Sequence, residues 1–226
     1  VEICRHEVSL ANAPEANVPK VRHTGRGVSG IDVSHYQGYI QWSQTARDPQ
    51  VGYVYLKATE SSSWVDDTYR RNVTAARRAG LLVGAYHFFS PTTPPMEQFE
   101  NMVSVVKKSD QDLLPMIDVE KVGRNGSANL CARLKTFLRA VEHYYCVKPI
   151  IYTGYNFYRK HLAGHFREYG FMIASYAEEM PNFDAIDAEV LMWQYSATGR
   201  VSGIRGNCDC SAFVQGHVLR EILMTK

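Results

Sequence analysis

Apolar residues along this chain come in short runs, and the stretches between most of those runs carry apolar positions at helical rather than strand spacing. The rhythm begins at Val28. Val28–Val33 is a short apolar run, and Val51-Gly52-Tyr53-Val54-Tyr55-Leu56-Lys57-Ala58 is a β-rich run after a turn at Asp48-Pro49. Asp66 to Ala79 reads as a helix with Gly80 as its stop. Leu81 to Phe88 reads as a buried strand. Pro94 and Pro95 open a second helix that runs to about Ser109, and Leu113–Val119 is the next strand. Ser127 to Tyr145 is a long helix, with Ala128, Leu130, Ala132, Leu134, Phe137, Leu138 and Val141 giving much of its apolar face. Val147–Tyr152 is a strand and Tyr155 to Ala163 is helical. Phe171–Ser175, Val190–Tyr195 and roughly Asn207–Val214 are three further strands.

Strands that alternate with helices at this spacing predict an α/β fold with parallel strands. Eight candidate strands favour a TIM-like barrel over an open doubly wound sheet. The last three strands are joined by segments too short or irregular for crossover helices, so the ring of helices is expected to be incomplete. No glycine-rich fingerprint follows the first strand, which leaves a nucleotide-binding reading without support. Residues 1–27 lack apolar periodicity, carry Pro14 and Pro19, and read as an N-terminal extension or arm. Residues 28–226 form the expected catalytic barrel domain.

Composition narrows the function classes. A chain of 226 residues with a formal charge of +2 does not argue for a nucleic-acid partner. Arg70-Arg71 and Arg77-Arg78 read as the solvated face of a helix. No apolar stretch is long enough to cross a bilayer, so no membrane insertion is expected. The N-terminus shows no charged start followed by an apolar run; a secreted or cell-envelope location with the leader removed is the expectation. Fourteen tyrosines and three tryptophans supply rings with polar tips, which suit carbohydrate faces as well as core packing. Of the five cysteines, Cys131 and Cys146 fall on one helix about 22 Å apart and cannot bridge. Cys208 and Cys210 share a strand face but are poorly placed to bond to each other. Buried free thiols are expected, with a bridge to Cys4 as the alternative.

The chemistry collects where strands end. Asp118 and Glu120 close the run Leu113-Leu114-Pro115-Met116-Ile117-Asp118-Val119-Glu120, and residues two apart on a strand point the same way. Two carboxylates held together, one protonated and one ionised, are what glycoside hydrolysis requires. The structural alternative is a loop-capping Asp118 and a Glu120 paired to Lys121 or Arg124. Other strand ends add Asp32, Lys57, Glu60, Tyr86, Tyr152, Tyr176, Trp193, Gln194 and Asp209. In a parallel barrel such ends form the catalytic rim. Acids from separate strands interleaved with aromatic residues are hard to explain as core, although Lys57 is an obvious ion-pair partner for Glu60. His87, alone in an apolar run, reads as a hydrogen-bonded core residue. Asp32, Asp118 and Asp209 with a histidine are a minority metal reading. No cofactor and no metal are expected.

These residues also carry a resemblance. Gly30-Ile31-Asp32-Val33-Ser34-His35-Tyr36-Gln37-Gly38 resembles the opening D-V-S-x-x-Q-G motif of glycoside hydrolase family twenty-five, the Chalaropsis-type lysozymes. Lys57-Ala58-Thr59-Glu60, Tyr86-His87-Phe88 and Asp118-Val119-Glu120 are similar to its K-A-T-E, Y-H-F and D-x-E segments, in order. Ile151-Tyr152-Thr153, Ile173-Ala174-Ser175-Tyr176, Trp193-Gln194-Tyr195-Ser196, Gly203-Ile204 and Asp209 fit its later strands. Ser61, Phe171-Met172 and Cys210-Ser211 depart from the common pattern beside the acids. The resemblance covers about residues 28 to 214. It implies a flattened barrel of eight strands with about five helices, acting as an N-acetylmuramidase on peptidoglycan glycan strands. It implies Glu120 as proton donor, Asp118 as its partner carboxylate, and Asp32 and Asp209 as the rest of the acidic set. Tyr86, Tyr152, Tyr176, Trp193, Gln194, Glu60 and Lys57 are the expected substrate contacts. A monomer is expected. The competing class is a peptidoglycan-binding module that has lost catalysis.

Overall fold

The computed structural model describes residues 29–224, so the expected arm over residues 1–27 lies outside the described residues. Nine strands make one sheet: β1 (Ser29–Val33), β2 (Tyr53–Glu60), β3 (Trp64–Val65), β4 (Leu82–Phe88), β5 (Met116–Asp118), β6 (Ile150–Gly154), β7 (Gly170–Ala174), β8 (Glu189–Gly199) and β9 (Cys208–Phe213). The order is β1-β9-β8-β7-β6-β5-β4-β2-β3, and β1 also pairs with β2. That last pairing closes a barrel of eight strands, with the two-residue β3 hanging outside it on β2. Helices α1 (Trp42–Thr45), α2 (Tyr69–Arg78), α3 (Pro95–Val105), α4 (Gly126–Tyr145) and α5 (Tyr155–Phe157) lie along the chain between the strands. The last runs on as a π turn over Tyr158–Leu162.

Most of the barrel is parallel, as the alternation predicted. β9 is not: it runs antiparallel to both β8 and β1. The reason is the length of the connection. A parallel partner needs a crossover of a dozen or more residues; residues 200–207 allow only a reversal. The consequence matters for the site. The start of β9, rather than its end, comes to the rim where β1 ends, and this brings Asp209 there.

Other boundaries moved for local reasons. α2 begins at Tyr69 instead of Asp66, because the Asp66 carboxylate is spent outside the helix. Its Oδ1 accepts from the Thr68 amide at 2.9 Å and hydroxyl at 2.6 Å, and its Oδ2 accepts from the His35 amide at 2.9 Å. The strand expected over 113–119 shortens to β5, because Leu113 and Leu114 bond elsewhere: Leu114 N–H donates to the Ile222 carbonyl at 2.8 Å. Cys131, Cys208 and Cys210 are free and buried. Cys146 is disulfide-bonded, which corrects the expectation of a free thiol there; Cys4 lies outside the described residues.

The core has two parts. Outward residues of the strands (Val54, Leu56, Val83, Ala85, Ile117, Ile151, Phe171, Ile173) pack against α2, α3 and α4 through Tyr69, Val73, Met102, Leu134, Phe137 and Leu138. Inward residues make a second cluster of Tyr53, Tyr55, Leu113, Met116, Ile150, Met172, Met192 and Ile222 that fills the barrel. Gly30 and Gly84 leave room for the two tyrosine rings: a Cβ on Gly30 would sit 2.0 Å from the Tyr53 ring, and one on Gly84 2.4 Å from that of Tyr55. The Tyr53 hydroxyl lies 3.1 Å from Ser211 Oγ, and that of Tyr55 donates to the Leu114 carbonyl at 3.1 Å. The barrel is therefore plugged, and only its rim is open.

Candidate active site

Inward positions alternate along each strand, so the apolar plug fixes what stands above it. One step past Gly30, Tyr55, Met116 and Ile150 come Asp32, Lys57, Asp118 and Tyr152. From β4 the same parity adds Tyr86. Together with Glu120 and Asp209 these line a cleft of about 220 Å³ whose floor is Met116. Four carboxylates from β1, β5 and β9 thus share one cleft.

Asp32 and Asp209 stand directly opposite in the β1–β9 ladder. Like charges facing each other across a strand pair repel. Burial, and next the charge of Asp209, push Asp32 well above the usual carboxylate range. Burial raises Asp209 as well, while its hydrogen bond with Asp32 pulls it down, so the two acids titrate as one coupled pair. Gln194 supports Asp32 from below, donating from Nε2 to both carboxyl oxygens at 3.2 and 3.0 Å. Its Oε1 accepts from the hydroxyls of Tyr152 at 2.9 Å and Tyr176 at 3.0 Å.

Asp118 ends β5 and is buried. Burial first, then the charges of Glu120 and Asp32, raise it well above the ordinary value, while Lys57 pulls the other way. Its Oδ1 is buried with no hydrogen-bond partner among the described residues. An orphaned buried acceptor is uncommon in a folded protein and calls for a donor. Here it lies in a polar cleft, where a ligand N–H can meet it. Glu120 follows two residues on, at the solvent-open mouth. Loss of water around its carboxyl raises it above the ordinary value; the Tyr152 hydroxyl and Lys121 oppose this, and Asp209 adds to it.

The remaining expected contacts divide. Lys57, Tyr86 and Tyr152 line the cleft. Lys57 also pairs with Glu60 at 2.7 Å and lies over the rings of Trp64 and Phe88 at 4.7 and 5.1 Å. Glu60 does not line the cleft; it is held by Lys57 and, at 3.9 Å, by Lys121. Trp193 stands between inward Met192 and inward Gln194, so it points out of the barrel, where its indole N–H donates to the Ser175 carbonyl at 2.7 Å. Trp193 is therefore not among the residues that line the cleft. Gln194 is buried behind Asp32 and acts on the cleft only through its partners. Tyr176 stays on the rim, 61% exposed. His87 is a core residue: outward and buried, it bonds Thr59 Oγ1 at 2.8 Å and stacks on Phe137. Burial lowers it to about 4, so it is neutral at pH 7. Among the described residues no group of three or more His, Cys, Asp or Glu is arranged to hold a metal ion.

Ser34, which follows Asp32 at the end of β1, also lines the cleft, as do Tyr36, Gln37 and Phe88, which sequence reasoning did not single out. The signal was present just after Asp32. Ser34 and Gln37 form a capping box, with the Ser34 amide donating to Gln37 Oε1 at 2.8 Å and Ser34 Oγ accepting from the Tyr36 amide at 3.3 Å. That turn lifts Tyr36 into solvent, 82% exposed, at the cleft edge.

Residues 31–204 match Glycosyl hydrolases family 25. The chain belongs to that family. It is 37% identical over 190 residues to the uncharacterized protein YegX of Escherichia coli (strain K12), covering 82% of this chain and 69% of that one. It is 30% identical over 203 residues to Lysozyme M1 of Streptomyces globisporus, covering 83% of this chain and 68% of that one. The fold is similar to the bacterial lysozyme from Streptomyces coelicolor, with a TM-score of 0.76 at 27% identity over 88% of this chain and 96% of that one. As a family 25 member the protein is a glycoside hydrolase, and its barrel is the flattened α/β barrel of that family.

Proposed function

We propose that this family 25 hydrolase is a peptidoglycan muramidase. It cuts the β-1,4 bond between N-acetylmuramic acid and N-acetylglucosamine with net retention, at the cell envelope or outside the cell, where that polymer lies. The observation that carries this reading is the unpartnered Asp118 Oδ1 beside Glu120 in one cleft. Both acids rise from one face of one strand end, so they stand on the same side of a bound sugar. Inversion needs carboxylates on opposite sides with room for water between them. Retention leaves two nucleophiles, an enzyme carboxylate or the substrate's own acetamido group; the family resemblance implies the acetamido group, and the open acceptor on Asp118 suits it.

Glu120, whose hold on its proton is strengthened by loss of water and by Asp209, gives that proton to the glycosidic oxygen. The acetamido carbonyl oxygen bonds to C1 as the C1–O bond breaks. Asp118 Oδ1 accepts the acetamido N–H, which orients the group and stabilises the charge that forms on it. That hydrogen bond also favours the ionised form of Asp118, offsetting its burial. Water then attacks C1 with Glu120 as base and frees the acetamido group. Asp32 and Asp209, tied through Gln194 to Tyr152, set the charge around Glu120.

Positioned acid catalysis contributes about a hundred- to ten-thousand-fold. Glu120→Gln is therefore expected to lower the release of reducing ends from purified cell walls by a factor in that range, with an unchanged unfolding midpoint. Near-parental activity removes Glu120 from the mechanism. An inert glycan-binding module would bind cell walls and release nothing even as the parent.

A further inference from the structure

Beside the acidic cleft runs a surface of opposite charge. Tyr36 and Gln37, at the cleft edge, also line a neighbouring groove of about 600 Å³ with Gly38, Tyr39, Gln41 and Arg205. Tyr39 and Gln41 in turn line a third groove, of about 730 Å³, along α2. Its cations are Arg70, Arg71 and Arg78, and among the described residues no acidic side chain lines either groove. The three hollows are neighbours, each sharing lining residues with the next. A substrate that leaves the cleft past Tyr36 passes from four carboxylates to a row of arginines.

The arginines are not equivalent. Arg70 lies 3.7 Å from Asp110, and Arg77, on the adjoining face of α2, is tied to Asp112 at 3.1 Å. Arg71 is steadied by the Gly38 carbonyl at 3.2 Å and lies over the Tyr39 ring at 5.8 Å, with no carboxylate partner among the described residues. Arg78 is exposed and makes no ion pair or hydrogen bond among the described residues. Arg71 and Arg78 are seven apart on one helix and so share a face. Together with Arg205 they leave guanidinium groups open beside Tyr39 and the amide of Gln41.

We infer that this groove binds the carboxylate-bearing peptide stems of the glycan strand being cut. The inference rests on the muramidase reading. Each muramic acid carries a peptide on its lactyl group, and that peptide carries free carboxylates. Those acids of the cleft that are ionised repel it, whereas guanidinium groups match carboxylates in geometry and charge. The peptide stem is thereby drawn out past Tyr36 and along α2, which fixes the direction in which the strand lies in the cleft.

The test compares soluble glycan strands bearing tetrapeptide stems with the same strands stripped of stems by an amidase. The Arg71→Gln/Arg78→Gln double variant is expected to raise KM on stemmed strands about three- to tenfold, as the loss of two exposed ion pairs allows. On these strands kcat stays as in the parent, and on stripped strands neither KM nor kcat changes. Added salt raises the parent's KM on stemmed strands and flattens the difference. In a separate titration the free tetrapeptide binds the parent and binds the double variant more weakly. Equal KM on both strands for parent and variant, or competition by a glycerol-phosphate polymer and none by the tetrapeptide, overturns the inference. A parent that releases no reducing ends from either strand refutes the muramidase reading, and the tetrapeptide titration then decides the groove on its own.

Discussion

At the scale of single residues the cleft is a problem in shared protons. Asp32 and Asp209 face each other, and Asp118 and Glu120 sit one strand step apart, so protons leave the four acids as a coupled set. Asp209 is the acid in that set whose charge raises Glu120. Glu120 must be protonated to act as donor, so the basic limb of the pH–rate curve follows its pKa, and activity is expected to peak below neutrality. Replacing Asp209 by Asn removes that charge. The Glu120 pKa falls, and the basic limb moves to lower pH. Asp32 also loses its facing charge and ionises more readily, but Gln194 holds both its carboxyl oxygens from behind, and it is the charge of Asp209 that bears on Glu120. If Asp209 only ties β1 to β9, Asp209→Asn lowers the unfolding midpoint and leaves the limb in place. A pH–rate curve of the folded variant beside the parent separates the two outcomes.

At the scale of elements, inward parity on the strands decides both stability and site. The tyrosines that plug the barrel need Gly30 and Gly84 opposite them. A Cβ at position 84 would come within 2.4 Å of the Tyr55 ring and 3.0 Å of Leu113. Gly84→Ala is therefore expected to cost about 1–3 kcal/mol in denaturant unfolding, the usual range for overpacking. Gly154→Ala, with nothing within 4 Å of its Cβ, is the control and is expected to leave the midpoint near that of the parent. A midpoint for Gly84→Ala equal to the control's would mean that Tyr55 moves freely, and the plug would lose its place in the account. Parity also governs what the chain revealed before folding. Asp118 and Glu120 were legible because two-residue spacing survives any shift of strand ends. The place of Trp193 outside the cleft lining was not legible, because an aromatic residue near a strand end carries no mark of which face it takes; that depends on whether Gln194 or Trp193 shares the side of Met192. Nor was that of Glu60, because an ion pair with Lys57 and a place in the cleft leave the same trace in sequence.

At the scale of the molecule the alternation of runs conveyed the barrel, while its closure was written only in connection lengths. The eight residues between β8 and β9, numbers 200–207, force the reversal that brings Asp209 to face Asp32. Motif order placed both acids in one family pattern, and the ladder register explains why they belong together. What no local pattern could show is the charge contrast across the surface, since Arg205 joins Arg71 and Arg78 of α2 from a distant part of the chain. The whole molecule then reads as an acidic cleft that cuts and a basic flank that receives what hangs from the strand. The central claim is retention through the acetamido group directed by Asp118 and Glu120. Proton NMR of a cell-wall glycan digest in its first minutes tests it most directly, because the new reducing end is seen before its anomers interconvert. The account requires the β-anomer of N-acetylmuramic acid at that end; the α-anomer, or N-acetylglucosamine in its place, would contradict it.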